Sequence, residues 1–263
     1  MKILKPINDG HGGDTFRELL DMWGENNLCE VIPTSNIRNV WVEREGGILL
    51  YDRPILDFLP RDFKFGLFGN TVPDFSTSSP WIFWGRRPRV LEEYRKKPHL
   101  SYSERTIESI FVGKVENPTQ LKKRTTTDWS NSIDLFEMPV SQGYPIAPYK
   151  YTQEEYLDLL RKSKFGLCLP GYGPKCNREI ELMGLGVVPI ITPGVDLTYF
   201  NPLTENKHYL FASSPEKLKG ILGSITQKKW EEMSKSCVSW YENNCSVKGS
   251  FNTTKKIITT LPL

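Results

Sequence analysis

Phe165-Gly-Leu-Cys-Leu-Pro-Gly-Tyr-Gly-Pro-Lys-Cys-Asn-Arg-Glu-Ile-Glu-Leu-Met-Gly-Leu-Gly-Val-Val-Pro-Ile-Ile191 is the stretch from which the fold is read. Its first apolar run ends at Leu169 and has the length and composition of a buried strand. Gly171 and Gly173, on either side of Tyr172, let backbone approach a ligand closely, and Pro174 suits the first turn of a helix. The loop therefore feeds a helix N-terminus, where unpaired N–H groups and the helix dipole favour an anion. Lys175 and Arg178 add charge on the same side, with Asn177 between them, and the combination is suited to a diphosphate. Glu181 lies one turn beyond Arg178 on the same face, so its carboxylate can accept from a ribose diol while Arg178 holds phosphate. Gly184 and Gly186 end the helix, and Val187 to Ile191 forms the next buried strand.

Strands and helices alternate on both sides of this unit. Upstream, strands are expected at Ser109–Val112 and Ile133–Phe136, with a basic segment, Gln120–Arg124, between them. Thr152 and Glu155 form a capping box that opens a helix with Tyr156, Leu159 and Leu160 inward. Downstream, helices start at Ser214-Pro215 and at Thr226, the second with Trp230, Met233, Cys237, Trp240 and Tyr241 on one face. Strands separated by helices of this length predict a parallel sheet with helical crossovers. Ligands of such sheets bind at the carboxyl ends of the strands, where the Gly171–Gly173 loop lies.

The amino-terminal part predicts a second α/β unit. Strand Lys2–Pro6 leads through the Gly-rich loop Asn8–Gly13 to a helix in which Phe16, Leu19, Leu20 and Trp23 form one stripe, with Asp14 as its N-cap. Extended segments follow at Val40–Val42, Gly47–Tyr51 and Lys64–Gly69. The aromatic segment Trp81–Trp84 then runs into Arg86, Arg87 and Arg89. Arg95–Ser103, with its Lys pair and Pro98, is the linker candidate, which divides the chain into an acceptor-side unit at 1–100 and a donor-binding unit at 101–263. The last helix is expected to pack back on the first unit.

Composition bounds the function. The chain has 263 residues, a formal charge of +3 and a pI near 8.5. That is a mild excess of Lys and Arg, unlike the concentrated stripe of a nucleic-acid binder, and it fits an anionic small substrate better. No apolar run reaches membrane-span length, and the amino terminus turns polar too soon for a signal peptide, so the chain reads as soluble and cytoplasmic. Five Cys, an odd and sparse count, point to a reducing compartment rather than a disulfide framework. The sequons at Asn244 and Asn252 are then chance.

Three motifs carry a family resemblance: Lys164-Phe-Gly-Leu-Cys-Leu-Pro-Gly171, Asn177-Arg-Glu-Ile-Glu181, and Gly186-Val-Val-Pro-Ile-Ile191. They resemble the core of the exostosin-like glycosyltransferases, written as Phe-Cys-Leu-x-Pro, Ser-x-Arg-x-x-Glu/Asp and Gly-Cys-Ile-Pro-Val-Ile. Phe111-Val-Gly113-Lys114, followed by Arg124, is similar to that family's earlier phosphate-side loop. Asn177 departs from the usual small hydroxylated residue, and Val187 and Val188 stand for Cys and Ile. Among members, the compact viral xylosyltransferases are the most similar in size.

The resemblance implies a GT-B architecture, two Rossmann-like domains with parallel sheets facing across a cleft. It also implies inverting transfer of a sugar from a UDP-sugar, with UDP-xylose the guess, to a hydroxyl of a glycan acceptor. In that reading Gly113, Lys114, Arg124, Gly171, Tyr172, Gly173, Lys175, Asn177, Arg178 and Glu181 bind the donor. A viral member would work in host-cell cytoplasm. No cofactor or metal is expected: the chain has no Asp-x-Asp triplet, and Mg²⁺ at a diphosphate needs carboxylates close together. Inversion needs a general base opposite the leaving diphosphate. Asp74, which follows Pro73 after the Lys64–Gly69 strand, and Asp14 rank first, with His11 third. Trp81 and Trp84 are candidates for stacking on an acceptor sugar. A non-catalytic nucleotide- or glycan-binding module is the alternative.

Overall fold

Strand β1 (Lys2–Pro6) and helix α1 (Thr15–Glu25) open the chain in a computed structural model that describes residues 1–7, 15–44, 47–140 and 150–261. The α1 stripe is buried as its spacing predicts, with Phe16, Leu19, Leu20 and Trp23 at most 1% exposed. Strands β2 (Glu30–Thr34), β3 (Val40–Val42), β4 (Ile48–Tyr51), β5 (Phe65–Phe68) and β6 (Ser78–Pro80) complete a sheet of order β2-β1-β3-β4-β5-β6. This sheet is mixed: β3 runs antiparallel to both β1 and β4, while the other pairs are parallel. Residues 43–47 join β3 to β4, and a parallel pair would need a crossover of about a dozen residues or more.

Helix α2 (Pro88–Arg95) precedes the second sheet. There β7 (Ile107–Val112), α3 (Pro118–Thr125), β8 (Leu135–Glu137), α4 (Gln153–Arg161), β9 (Ser163–Cys168), α5 (Asn177–Gly184), β10 (Val188–Ile191) and β11 (Leu210–Phe211) alternate. The order is β11-β10-β9-β7-β8, with every pair parallel. From β7 the chain steps outward to β8, then returns to place β9 on the other side of β7. That reversal opens a crevice beyond the carboxyl ends of β7 and β9, where ligands of open α/β sheets bind.

Local chemistry explains the central unit. Gly166 lets α5 lie directly on β9, since a Cβ there would come within 2.3 Å of Leu182. Helix α5 closes in a Schellman motif: Val187 N–H donates to Leu182 O and Gly186 N–H to Met183 O, with Gly186 at φ +68. Pro174, expected in the first turn, instead precedes the helix by three residues and its carbonyl accepts from Asp196 N. The basic segment Gln120–Arg124 is helical, capped by Asn117 with Pro118 in the first turn, because β7 and β8 are parallel and need a crossover.

The segment after α2 is fastened by Arg105, whose guanidinium donates to the carbonyls of Leu100, Ser163 and Leu185 and lies over Trp230. Helices α6 (Pro215–Gly223), α7 (Gln227–Asn244) and α8 (Val247–Thr260) end the chain. Helix α8 packs against α1: Trp23 Nε1 donates to Ser250 Oγ and Trp81 Nε1 to Thr254 Oγ1. The molecule is thus α/β, with two mostly parallel sheets and, among the described residues, eight α-helices. No helix of the described residues is long and apolar enough to cross a membrane.

Candidate functional site

Two loops meet beyond β7 and β9. The first carries Gly113 and Lys114, the second Gly171 to Cys176. Arg124 on α3 joins them, its Nε donating to Pro170 O and its NH1 to Lys114 O. Its guanidinium therefore braces the loops from beneath, a role its buried position supports. Arg178 enters from the first turn of α5, lies 4.3 Å over the Phe111 ring and donates from NH2 to Val112 O. Its Nε is buried without a partner.

The N-terminus of α5 faces the same space. Cys176 is its N-cap in extended conformation and gives no side-chain hydrogen bond to the helix. Burial pushes its thiol up to about 12, which keeps it protonated and a poor nucleophile. Lys175 is buried, donates to Thr198 O at 2.5 Å and sits 4.0 Å from Asp196. Burial lowers its ammonium to about 8, with Asp196 and Glu179 opposing that shift. Glu179 is fully buried with neither carboxylate oxygen hydrogen-bonded, and burial raises it to about 7.

Glu181 is used differently from a vacant ribose acceptor. Its Oε1 accepts from Arg86 N at 2.9 Å and from Gln153 Nε2 at 3.4 Å, and its Oε2 accepts from Tyr156 at 3.0 Å. A carboxylate accepts about four hydrogen bonds, so one position remains, enough for one hydroxyl and short of a bidentate diol clamp. Burial raises its pKa, while Arg86 N–H and Tyr156 work against that. Asn177 adds a tie between the sheets by donating from Nδ2 to Trp84 O at 2.9 Å.

These groups line one cavity of about 680 Å³ between the two sheets. Gly113, Lys114, Arg124, Gly171, Tyr172, Gly173, Lys175, Asn177, Arg178 and Glu181 all border it. The first sheet closes the other wall through Pro54, Asn70 and Phe83, joined by Arg86 and Arg87. Lys114, Arg124, Lys175, Arg178, Arg86 and Arg87 face two lining carboxylates, Glu116 and Glu181, among the described residues. The excess of cations suits a multiply charged anion, and the volume is that of a small-molecule site.

Sequence reasoning did not assign Asn70, Arg86, Arg87, Gln153 or Tyr156 to the site. Arg86 and Arg87 stood in a visible basic run, in which Arg89 turns away to pair with Glu25 at 2.8 Å. Asn70 gave no signal beyond its place at a strand end.

Trp81 and Trp84 require correction as acceptor platforms. They are 0% and 4% exposed and pack with Phe16, at centroid distances of 5.1 and 4.9 Å. Neither offers a face to a sugar, because α1 and α8 cover this end of the first sheet. Asp74 is exposed in the connection from β5 to β6 and is not among the residues lining the cavity. His11 and Asp14 lie outside the described residues. Among the described residues no group of three or more His, Cys, Asp and Glu is gathered as metal ligands.

No protein-family model matches this chain, and no curated protein sequence matches it.

Proposed function

We propose that the cavity binds a nucleoside diphosphate sugar and that the chain transfers the glycosyl group, with inversion, to a hydroxyl of a glycan acceptor. The single observation that carries this reading is the convergence of Arg178 and the α5 N-terminus, braced by Arg124 and joined by Lys114, Arg86 and Arg87, on one cavity at the reversal point between β7 and β9. Such donors carry two negative phosphates, and the leaving diphosphate gains charge as the anomeric C–O bond breaks. Preformed cations and N–H dipoles stabilise that charge without reorganisation. The acceptor hydroxyl attacks the anomeric carbon from the opposite face and loses its proton to a base. Asp74, Asp14 and His11, all in the amino-terminal part of the chain, are the candidates for that base.

The motif resemblance to exostosin-like glycosyltransferases supports the same reading, with a GT-B arrangement of the two sheets and UDP-xylose as the first donor to try. The reaction is proposed to need no metal. The test is release of UDP from a panel of UDP-sugars with glycan acceptors: activity that survives EDTA and falls at least about a hundredfold in Arg178→Ala supports it, on the scale of losing a charged donor at a developing oxyanion. Normal turnover in Arg178→Ala overturns the donor site, and inhibition by EDTA that Mn²⁺ reverses overturns metal independence.

A second reading is binding without turnover. The two carboxylates that line the cavity among the described residues are both engaged, Glu116 with Lys114 at 2.6 Å and Glu181 with three protein donors, which favours it. It predicts thermal stabilisation by nucleotides with no UDP release across the acceptor panel.

A further inference from the structure

Two buried polar atoms without hydrogen-bond partners belong to residues that line the cavity, and they come from opposite walls. One is Arg178 Nε, a donor in the cationic wall; the other is Asn70 Oδ1, an acceptor at the carboxyl end of β5 in the first sheet. Both residues are more than nine-tenths buried, at 8% and 7% exposed. A buried polar atom left unpaired costs on the order of 1–3 kcal/mol, so a native fold that retains two of them on residues lining one cavity is suited to a ligand whose entry turns both toward it and satisfies them.

The chemistry of the pair specifies that ligand. Arg178 Nε needs an acceptor and its charge prefers an anionic oxygen. Asn70 Oδ1 needs a donor, and a phosphate oxygen ionised at neutral pH has none to give. A molecule that satisfies both carries an anion and a hydroxyl.

Asn70 is also fixed against the anion loop. A Cβ on Gly173 would lie 2.6 Å from Asn70 Oδ1, 2.7 Å from its Nδ2 and 2.9 Å from Pro54 Cβ. Any side chain at position 173 would wedge the first sheet away from the loop. With glycine there, Asn70 stands next to the diphosphate cradle, where the group attached to the distal phosphate must lie.

We infer that Asn70 is a specificity-determining residue, whose carboxamide takes a hydrogen bond from a hydroxyl of the glycosyl group carried by the donor. This rests on the nucleotide-sugar reading above. The nucleotide is held by the second sheet, and Asn70 is the first sheet's polar contact to the sugar.

Titration calorimetry of wild type, Asn70→Ala and Asn70→Ser with UDP, UDP-xylose and the 2-, 3- and 4-deoxy analogues of UDP-xylose tests it. The expected result is a UDP affinity within about twofold of wild type in both variants, and a UDP-xylose affinity weakened about tenfold, the scale of one neutral hydrogen bond with its buried partner exposed. One deoxy analogue should bind wild type about tenfold more weakly than UDP-xylose and bind Asn70→Ala no more weakly than UDP-xylose does. Equal weakening of UDP and UDP-xylose, or an undiminished deoxy penalty in Asn70→Ala, overturns the inference while leaving the donor site intact. Wild type that binds neither UDP nor UDP-xylose overturns the donor reading and this inference together. Melting temperatures within a few degrees of wild type in at least one variant separate a lost contact from a lost fold.

Discussion

Gly113 and Arg178 are in contact so close that a Cβ on Gly113 would stand 2.3 Å from Arg178 NH2. The guanidinium reaches Val112 O only because position 113 has no side chain. Gly113→Ala should push Arg178 off its seat over Phe111 and misdirect its Nε. UDP affinity is expected to fall about tenfold, the order of one charge-assisted hydrogen bond, with little change in melting temperature. Calorimetric titration with UDP checks it, and undiminished affinity would show that Arg178 is not a ligand contact.

Lys175 predicts a pH dependence of anion binding. Its ammonium is lowered to about 8 by burial, so it is charged below that pH and neutral above it. UDP affinity should decline as pH rises from 7 to 9, a range in which the phosphates are already ionised. Lys175→Met should bind UDP more weakly at pH 7 and lose this decline. The same shift acts on folding: between about 8 and the ordinary 10.5 the unfolded chain holds more protons, so the unliganded fold gains stability as pH rises through that window. Thermal melts from pH 7 to 10 without ligand measure it.

Glu179 has the opposite sign. Its folded value of about 7 exceeds the ordinary 4.5, so the folded state holds the extra proton between those values and stability falls as pH rises through them. Above pH 7 the cost of a buried carboxylate is fully present, roughly 3–4 kcal/mol at 1.4 kcal/mol per unit. Glu179→Gln keeps the shape without the charge and should raise stability at pH 8 while changing it little at pH 4.5. Urea unfolding at both pH values checks the difference.

Trp81 tests whether the aromatic segment is core. Its Nε1 donates to Thr254 Oγ1 at 2.7 Å, joining the end of β6 to α8. Thr254→Val leaves a buried N–H unpaired and should destabilise by about 1–3 kcal/mol, while Trp81→Phe with Thr254→Val should cost less than the sum of the two single changes. Neither single variant should change acceptor KM. A KM that rises in Trp81→Phe at unchanged stability would restore the tryptophan to the acceptor site.

Several parts of this molecule were legible because the physics that fixes them is local. The Thr152–Glu155 box needs only adjacent residues and forms both of its hydrogen bonds. The end of α5 is set by Gly186, and the stripe of α1 by spacing alone. Other elements depend on distant partners. Helix α8 is rich in Thr and Ile, poor helix formers in isolation, and is helical because Phe251, Thr254 and Ile257 are buried, with Thr254 bonded to Trp81. The reversed β3 follows from a short connection, which alternation by itself did not reveal.

The sequence alone determined that this chain alternates strands and helices and that its Phe165–Ile191 unit presents glycines and Lys175 ahead of a helix that carries Arg178 in its first turn, since strand, turn and cap chemistry act over a few residues. Tertiary structure alone decided what faces that unit. Asn70 and Arg178 are 108 positions apart in the chain, and nothing in either neighbourhood sets their relation. Folding the first sheet against the second, with Gly173 allowing close approach, puts an orphaned acceptor and an orphaned donor on opposite walls of one cavity. The same packing committed Trp81 and Trp84 to the core and occupied three of the acceptor positions of Glu181, because burial and the pairing of polar groups are settled only when distant segments meet.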